Sequence, residues 1–160
     1  MHQNKTAFVT FFPIKPNNMG SSAVVNHRFE NWPKKKKLFQ ISHLEMINNR
    51  YVETIPIKKE SPFNKIIKLP SVIYRIYLYL KNTKNKKLVI EGASWIFYSF
   101  IVLIIVKIIY RDCKIIYISH SIESEIRKKY SNKFIYLLTA ILENFVFKLA
   151  DVSTSVSKKE

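Results

Sequence analysis

Glycine is nearly absent from this sequence: there are two in 160 residues, Gly20 and Gly92. Two glycines cannot supply the G-x-G-x-x-G dinucleotide fingerprint, and no G-x-x-x-x-G-K-[ST] phosphate loop or G-x-S-x-G nucleophile elbow exists. Nicotinamide binding, P-loop chemistry and hydrolase chemistry therefore have no support. A lone cysteine, Cys113, excludes an internal disulfide and makes a reducing compartment the easier home. One Cys and four scattered His give no ligand spacing such as C-x-x-C or H-x-x-x-H, so no metal site is expected. Collagen-like and linker-like compositions are ruled out by the scarcity of Gly and Pro.

Negative charge is also scarce. Asp and Glu number 11 against 27 Lys and Arg, for a net charge of +16. Such a surface attracts polyanions, either an anionic membrane face or nucleic acid. The cations are mostly Lys in a chain rich in Ile and Asn, which AT-rich coding also writes on any solvated surface. Arginine, the bidentate reader of guanine and phosphate, is limited to Arg28, Arg50, Arg75, Arg111 and Arg127. Nucleic acid is accordingly the weaker partner.

No amino-terminal leader is expected. Met1–Thr6 is polar, and Ala7–Phe12 is too short for the apolar core of a signal peptide. The chain is expected to be cytoplasmic, with a peripheral place on the inner membrane face as an extension of that reading. The apolar run Trp95–Val106 falls short of the roughly 20 residues of a spanning helix. It reads first as a buried helix. Two other readings stay open: an inserted helix over 93–110, with Lys107 snorkelling, and an interfacial helix.

What the sequence does contain is apolar: 48% of it, enough for one domain with its own core. Strands are expected at Ala7–Phe12, Leu38–Ser42, Tyr51–Ile57, Leu88–Glu91, Lys114–Ser119 and Val152–Val156. Helices are expected from Ala23 to about Trp32, capped by Ser21 or Ser22, and from Ser61-Pro62 onward, broken at Pro70 before Val72–Leu80. The apolar run after Gly92 and the stretch Phe134–Leu149 complete the set. The last carries Phe134, Leu137, Leu138, Ile141, Leu142, Phe145, Val146 and Leu149 at steps of three and four, a stripe expected in the core. Strands alternating with helices predict an α/β, Rossmann-like doubly wound sheet, mostly parallel, in a single domain over 1–160.

Such sheets bind ligands at the carboxyl ends of their strands. The residues placed there are Asn17–Ser22, Glu91–Ser94 and Ser119–Glu123. Gly20, Ser21 and Ser22 open a helix, whose free N–H groups suit an anion; an ordinary strand-to-helix turn reads equally well. His120 follows the fifth strand, where it either hydrogen-bonds a substrate or acts as a base, or is a plain loop residue. Glu123 is placed to orient it.

Taken together, several segments resemble a known family. They are the Pro/Gly/Ser loop after the first strand (Phe11–Ser22), the His-Ser-Ile-Glu-Ser-Glu run His120–Glu125, Glu143 in a helix, and the Ala-Asp-Val-Ser-Thr-Ser-Val-Ser run Ala150–Ser157. In this order they resemble the amino-terminal, acceptor-side domain of family-4-like glycosyltransferases of the GT-B fold. The resemblance implies transfer of a sugar from a nucleotide-sugar co-substrate to a glycan or lipid-linked acceptor, typically without a metal or other cofactor. It places Gly20 near the donor diphosphate, with Met19-Gly20 where the family carries Gly-Gly. It sets His120 in the cleft near the transferred sugar and has Glu123 support that loop; the strand-end placement adds Glu91, Ser94 and Ser119 to the cleft lining. It also implies a donor-binding half, absent from this sequence and expected as a separate partner chain, without which transfer should fail. A truncated gene, a split subunit and a fragment remain open. The Lys runs Lys34–Lys37 and Lys81–Lys87, with Arg127–Lys129, either hold the domain against anionic headgroups or are solvated turns, and Val72–Leu80 could dip into the interface. A non-catalytic membrane protein with an inserted helix over 93–110 and a basic nucleic-acid module are the rival readings.

Overall fold

In the computed structural model, which describes residues 4–15, 20–33, 35–44, 46–92 and 95–155, strands and helices alternate. The order is β1 (Lys5–Thr10), α1 (Gly20–Glu30), β2 (Lys35–Ser42), β3 (Val52–Pro56), α2 (Pro62–Leu80), β4 (Lys86–Gly92), α3 (Ile96–Ile109), β5 (Lys114–Ser119), α4 (Glu123–Tyr130), α5 (Lys133–Leu149) and β6 (Val152–Ser155). All strand pairs are parallel, and the strands lie in the order β3-β2-β1-β4-β5-β6. The fold is the Rossmann-like α/β sheet that the alternation predicts. Its direction reverses between β1 and β4, so the crevice at a doubly wound switch point opens at their carboxyl ends.

Right-handed crossovers decide which helix covers which face. The leftward step from β1 to β2 puts α1 on one side. The rightward steps put α2, α3 and α5 on the other. Two cores result. The larger joins Ala7, Val9, Phe39, Leu88, Ile90 and Ile115 of the strands to the three-helix layer. The smaller joins Phe8, Leu38, Val89 and Ile118 to Val25 and Phe29 of α1. There Phe8 meets Phe29 and Trp32 edge-to-face, with ring centroids 5.3 and 5.2 Å apart.

Several boundaries differ from the sequence expectation, for local reasons. The first strand begins earlier and ends at Thr10, because Lys5 pairs with Lys35 and Lys86. The second strand takes in Lys35–Lys37, and Lys36 folds back toward α1, its Nζ donating to the Glu30 and Trp32 carbonyls at 2.5 and 3.1 Å. Lys37 is ion-paired to Glu53 at 2.5 Å, and Glu53 also meets Arg75. Ser22 does not cap α1. It lies inside the helix, fully buried, and its hydroxyl donates to the Pro13 carbonyl at 2.8 Å.

Pro70 does not break α2. The helix runs through it for 19 residues, opened by the Ser61 hydroxyl accepting from Asn64 N–H and by Pro62 in the first turn. An interior proline costs about 3 kcal/mol. The buried row Leu69, Val72, Ile73, Ile76 and Leu80 continues across it and offsets that cost. A helix over Glu123–Tyr130 was not expected at all, since it has no apolar periodicity and buries none of its residues.

The long apolar run forms α3, 14 residues packed between α2 and α5 and burying Tyr98, Val102, Leu103 and Val106. No helix among the described residues is long and apolar enough to cross a membrane. The α5 stripe corrects another expectation. Leu142 and Val146 are buried, but Phe134, Leu137, Ile141, Phe145 and Leu149 face outward, from 40 to 74% exposed. The buried face of α5 instead includes Thr139 and Glu143.

The two glycines make opposite demands. A Cβ at Gly92 would overlap the buried Tyr117 ring, whereas one at Gly20 would meet open space. Gly92→Ala should cost about 1–3 kcal/mol through overpacking. Gly20→Ala should leave stability unchanged or raise it by up to about 1 kcal/mol. Urea unfolding of the two variants beside the parent checks both values.

Candidate functional site

The chemistry gathers where β4 and β5 end. Glu91 is the penultimate residue of β4, paired in register with Thr10 on one side and Ile118 on the other, and it has no exposed surface. A buried carboxylate without partners would cost several kcal/mol. Two groups answer it. Arg28 of α1 places Nη1 2.6 Å from both carboxylate oxygens. His120, just past β5, brings Nε2 to 2.9 Å. The Arg28 side chain is 24% exposed and that of His120 is 11% exposed, so the cluster reaches solvent through these two residues. With Nε2 turned to Glu91, Nδ1 is the ring nitrogen that no hydrogen bond among the described residues engages.

The neighbouring loops are tied down by their own polar contacts. The Thr10 hydroxyl donates to the Phe12 carbonyl at 2.9 Å, and Ile14 N–H donates to Gln40 Oε1 at 3.0 Å. Gln40 Nε2 in turn donates to Thr54 Oγ1 at 2.8 Å. Across the switch point, the buried Ser119 hydroxyl donates to the Ser121 carbonyl and closes the turn that carries His120.

Glu123 faces another way. It is the first residue of α4, and its Oε2 accepts from Ile96 N–H at the start of α3 at 2.6 Å. Its Oε1 accepts from Arg127 Nε and Nη2 at 3.2 and 3.0 Å. Glu143 of α5 does the same for α4. Its Oε1 accepts from Glu123 N–H at 2.8 Å, and its Oε2 accepts from the Ser124 hydroxyl at 2.5 Å. Neither Trp95 nor Ile122, the residues before α3 and α4, has a capping side chain. Carboxylates from the next helix along therefore satisfy both amino termini and suit the positive end of each dipole. This relay from α5 to α4 to α3 braces the loop that presents His120.

The sequence-derived candidates thus separate. Glu91, Ser119 and His120 come together. Glu123 lies on the same loop but positions it, with its carboxylate on α3 rather than on the Glu91–His120 pair. Gly20 and the half-buried Ser21 stand at the start of α1, and Ser22 is engaged by Pro13 as described. Met19 and Ser94 lie outside the described residues. Arg28 was missed: it sits in a helix with no motif, and its partner is 63 residues away. One signal was available. An acid inside a strand buried on both faces needs a cation, and the chain has few arginines from which to choose.

Other groups carry no site. Among the described residues no three His, Cys, Asp or Glu side chains gather as metal ligands. Burial pushes the Cys113 thiol up to about 12, with the Asp112 charge adding to it, so the reactive thiolate is disfavoured. The apolar groove between α2 and α3 and the smaller hollow beside α1 include neither Glu91 nor His120 in their walls. No protein-family model and no curated protein matches the chain.

Burial raises the carboxyl of Glu123 above its ordinary range, against the pull of Arg127 and Ile96 N–H; the charge of Glu143 adds to the rise. A group raised on folding binds its proton more tightly in the folded state. Stability should therefore fall as pH climbs from the ordinary Glu value, about 4.3, through the raised one. Glu123→Gln should remove this component, so the variant loses less stability than the parent between these limits. Urea midpoints measured across that interval check the difference.

Proposed function

We propose that this chain is the acceptor-side half of a GT-B-type glycosyltransferase, acting on a glycan or lipid-linked acceptor together with a donor-binding half. The observation that carries the reading is the Arg28–Glu91–His120 cluster at the carboxyl edge of β4 and β5, beside the switch point of the sheet. It joins His120, which the family resemblance puts in the cleft, to the strand-end residue Glu91 in one hydrogen-bonded unit. The cluster lies at the carboxyl edge of the sheet, with the Arg28 and His120 side chains partly exposed. That suits a site completed only when a second domain closes over it.

The chemistry follows from the donors. An acceptor hydroxyl attacks the anomeric carbon of the donor sugar. The bond from that carbon to the diphosphate oxygen breaks, and the nucleoside diphosphate leaves with the bonding pair. The hydroxyl proton passes to a base or to the departing phosphate. Glu91 fixes the imidazole ring through Nε2, and Arg28 balances the carboxylate's charge. Nδ1 of His120 is then the atom available to hydrogen-bond a sugar hydroxyl or accept a proton in the cleft. The start of α1 at Gly20, with open space over it, offers N–H groups to the donor diphosphate.

The test uses the chain reconstituted with a donor-binding half and supplied with radiolabelled nucleotide-sugars. His120→Ala should lower transfer about 100-fold or more and, by removing one partner of the buried Glu91, lower the thermal midpoint by a few degrees while the far-UV circular dichroism stays that of the parent. Glu91→Gln keeps the side-chain volume but weakens the hold on both partners, and should lower both transfer and stability. Undiminished turnover in His120→Ala would remove the catalytic reading.

A further inference from the structure

The helical layer on the larger core is apolar on both of its sides. Its inner rows pack on the sheet. Its outer side carries further apolar positions, at helical spacing on α2 and α5 and as an adjacent pair at the carboxyl end of α3. On α2 these are Phe63, Ile67, Tyr74 and Leu78, between 42 and 69% exposed. On α3, Ile108 is 71% exposed and Ile109 42%. On α5 the outward row is the one from Phe134 to Leu149. The three helices lie side by side, α2 against α3 and α3 against α5, with the Phe100 and Phe145 rings 6.3 Å apart. The rows therefore form one surface. Between α2 and α3 it dips into an open groove of about 600 Å3 walled by Ile66, Tyr74, Phe97 and Ile105. Scattered exposed apolar residues are ordinary in any protein; two outward rows flanking a third apolar helix are not.

The charge on this layer is one-sided. The only acid in the three helices is Glu143, which is 5% exposed and already caps α4. Of their cations, Lys65, Arg75 and Lys107 are paired to Glu60, Glu53 and Asp151, whereas Lys68, Lys133 and Lys148 have no ion pair among the described residues. The ion-paired carboxylates that border it are Glu53 with Arg75 and Lys37, Glu60 with Lys65 and His43, Asp112 with Lys86, Asp151 with Lys107, and Glu123 with Arg127. An apolar face with three unpaired lysines, and with Glu143 as the only acid in its own helices, is poorly matched to a second copy of itself. It complements a surface with an apolar interior and anionic headgroups. Tyr74 and Tyr77 stand on the rim of the groove, where a phenol can keep its ring in the apolar phase and its hydroxyl in water.

We propose that the outer face of the α2–α3–α5 layer docks on an anionic lipid bilayer, lying in its interface without crossing it, with the α2–α3 groove receiving a lipid acyl chain. The inference stands apart from the transferase reading, since it requires no donor, acceptor or cleft. It also differs from a spanning helix, because the contact is shared by three helices of a folded domain.

Flotation of the full chain with phosphatidylcholine vesicles, with and without about 30% phosphatidylglycerol, tests it. The parent should float with the anionic vesicles and far less with the neutral ones, and added salt should weaken the binding. Tyr74→Glu, Ile108→Glu and Phe134→Glu each place a charge on an exposed position of a different helix, so the fold should tolerate them, as near-UV circular dichroism would show. Each should weaken binding about tenfold or more. Tyr51→Glu is the control; this residue is 52% exposed beside α1 on the opposite side, and its variant should bind as the parent does. Failure to float with anionic vesicles, or equal binding by parent and layer variants, would overturn the proposal. So would a stable dimer in sedimentation velocity that the layer variants dissociate, which would give the face to a second copy.

Discussion

Glu91 is the constraint around which this domain is arranged. A charged side chain with no exposed surface, in a strand flanked on both sides by others, is unfavourable unless its charge is matched on the spot. Arg28 and His120 match it from two elements that the sequence separates widely. The pairing joins α1, β4 and the end of β5 into one unit. It also sets the imidazole: one ring nitrogen is used internally, and the other is left for the outside. Structure and chemistry depend on the same few atoms here, so any substitution at Glu91 affects both.

The loop bearing His120 is held from its other end by the capping relay. Helix amino termini ordinarily find a cap in the residue just before them. Here α3 and α4 follow Trp95 and Ile122, which cannot serve. The carboxylates of Glu123 and Glu143 reach in from neighbouring helices instead, making secondary structure contingent on tertiary packing. Glu123 bears the cost of its burial, seen in the upward push on its carboxyl. The benefit is a fixed spatial relation among the three helices beside the site.

Much of the fold was legible because parallel strands covered on both faces are continuous apolar runs, such as Phe8–Val9 and Leu88–Ile90, separated by polar turns. What was not legible depended on distance. The lysines Lys35–Lys37 look like a charged loop until the register with Lys5–Ala7 is known. Pro70 is a helix breaker by local rule, and only the buried row on either side of it shows why the helix continues. The α4 helix has no apolar pattern, since its amino terminus is secured from Glu143. The periodicity of α5 identified a helix correctly, but period alone does not say which apolar residues face inward; Phe134 and Phe145 point out, while Thr139 and Glu143 go in. In the site, Glu91 and His120 could be found as strand-end residues. Arg28 could not be singled out, because nothing local marks it.

The strand order has a consequence for the chain as it is made. β1 is the central strand, and one of its edges pairs with β2, about thirty positions later: Lys5 meets Lys35. Its other edge waits for β4, whose first residue, Lys86, also faces Lys5. A nascent chain that has released β1, β2 and β3 therefore carries an open edge along Ala7–Thr10, with apolar side chains toward both faces and unpaired backbone groups between them. Until the segment after α2 emerges from the ribosome, that edge can pair with any other strand nearby. Synthesis through the α2 region is thus an interval in which this protein is exposed to misassembly, and the interval through α3, while the β4 edge waits for β5, is another.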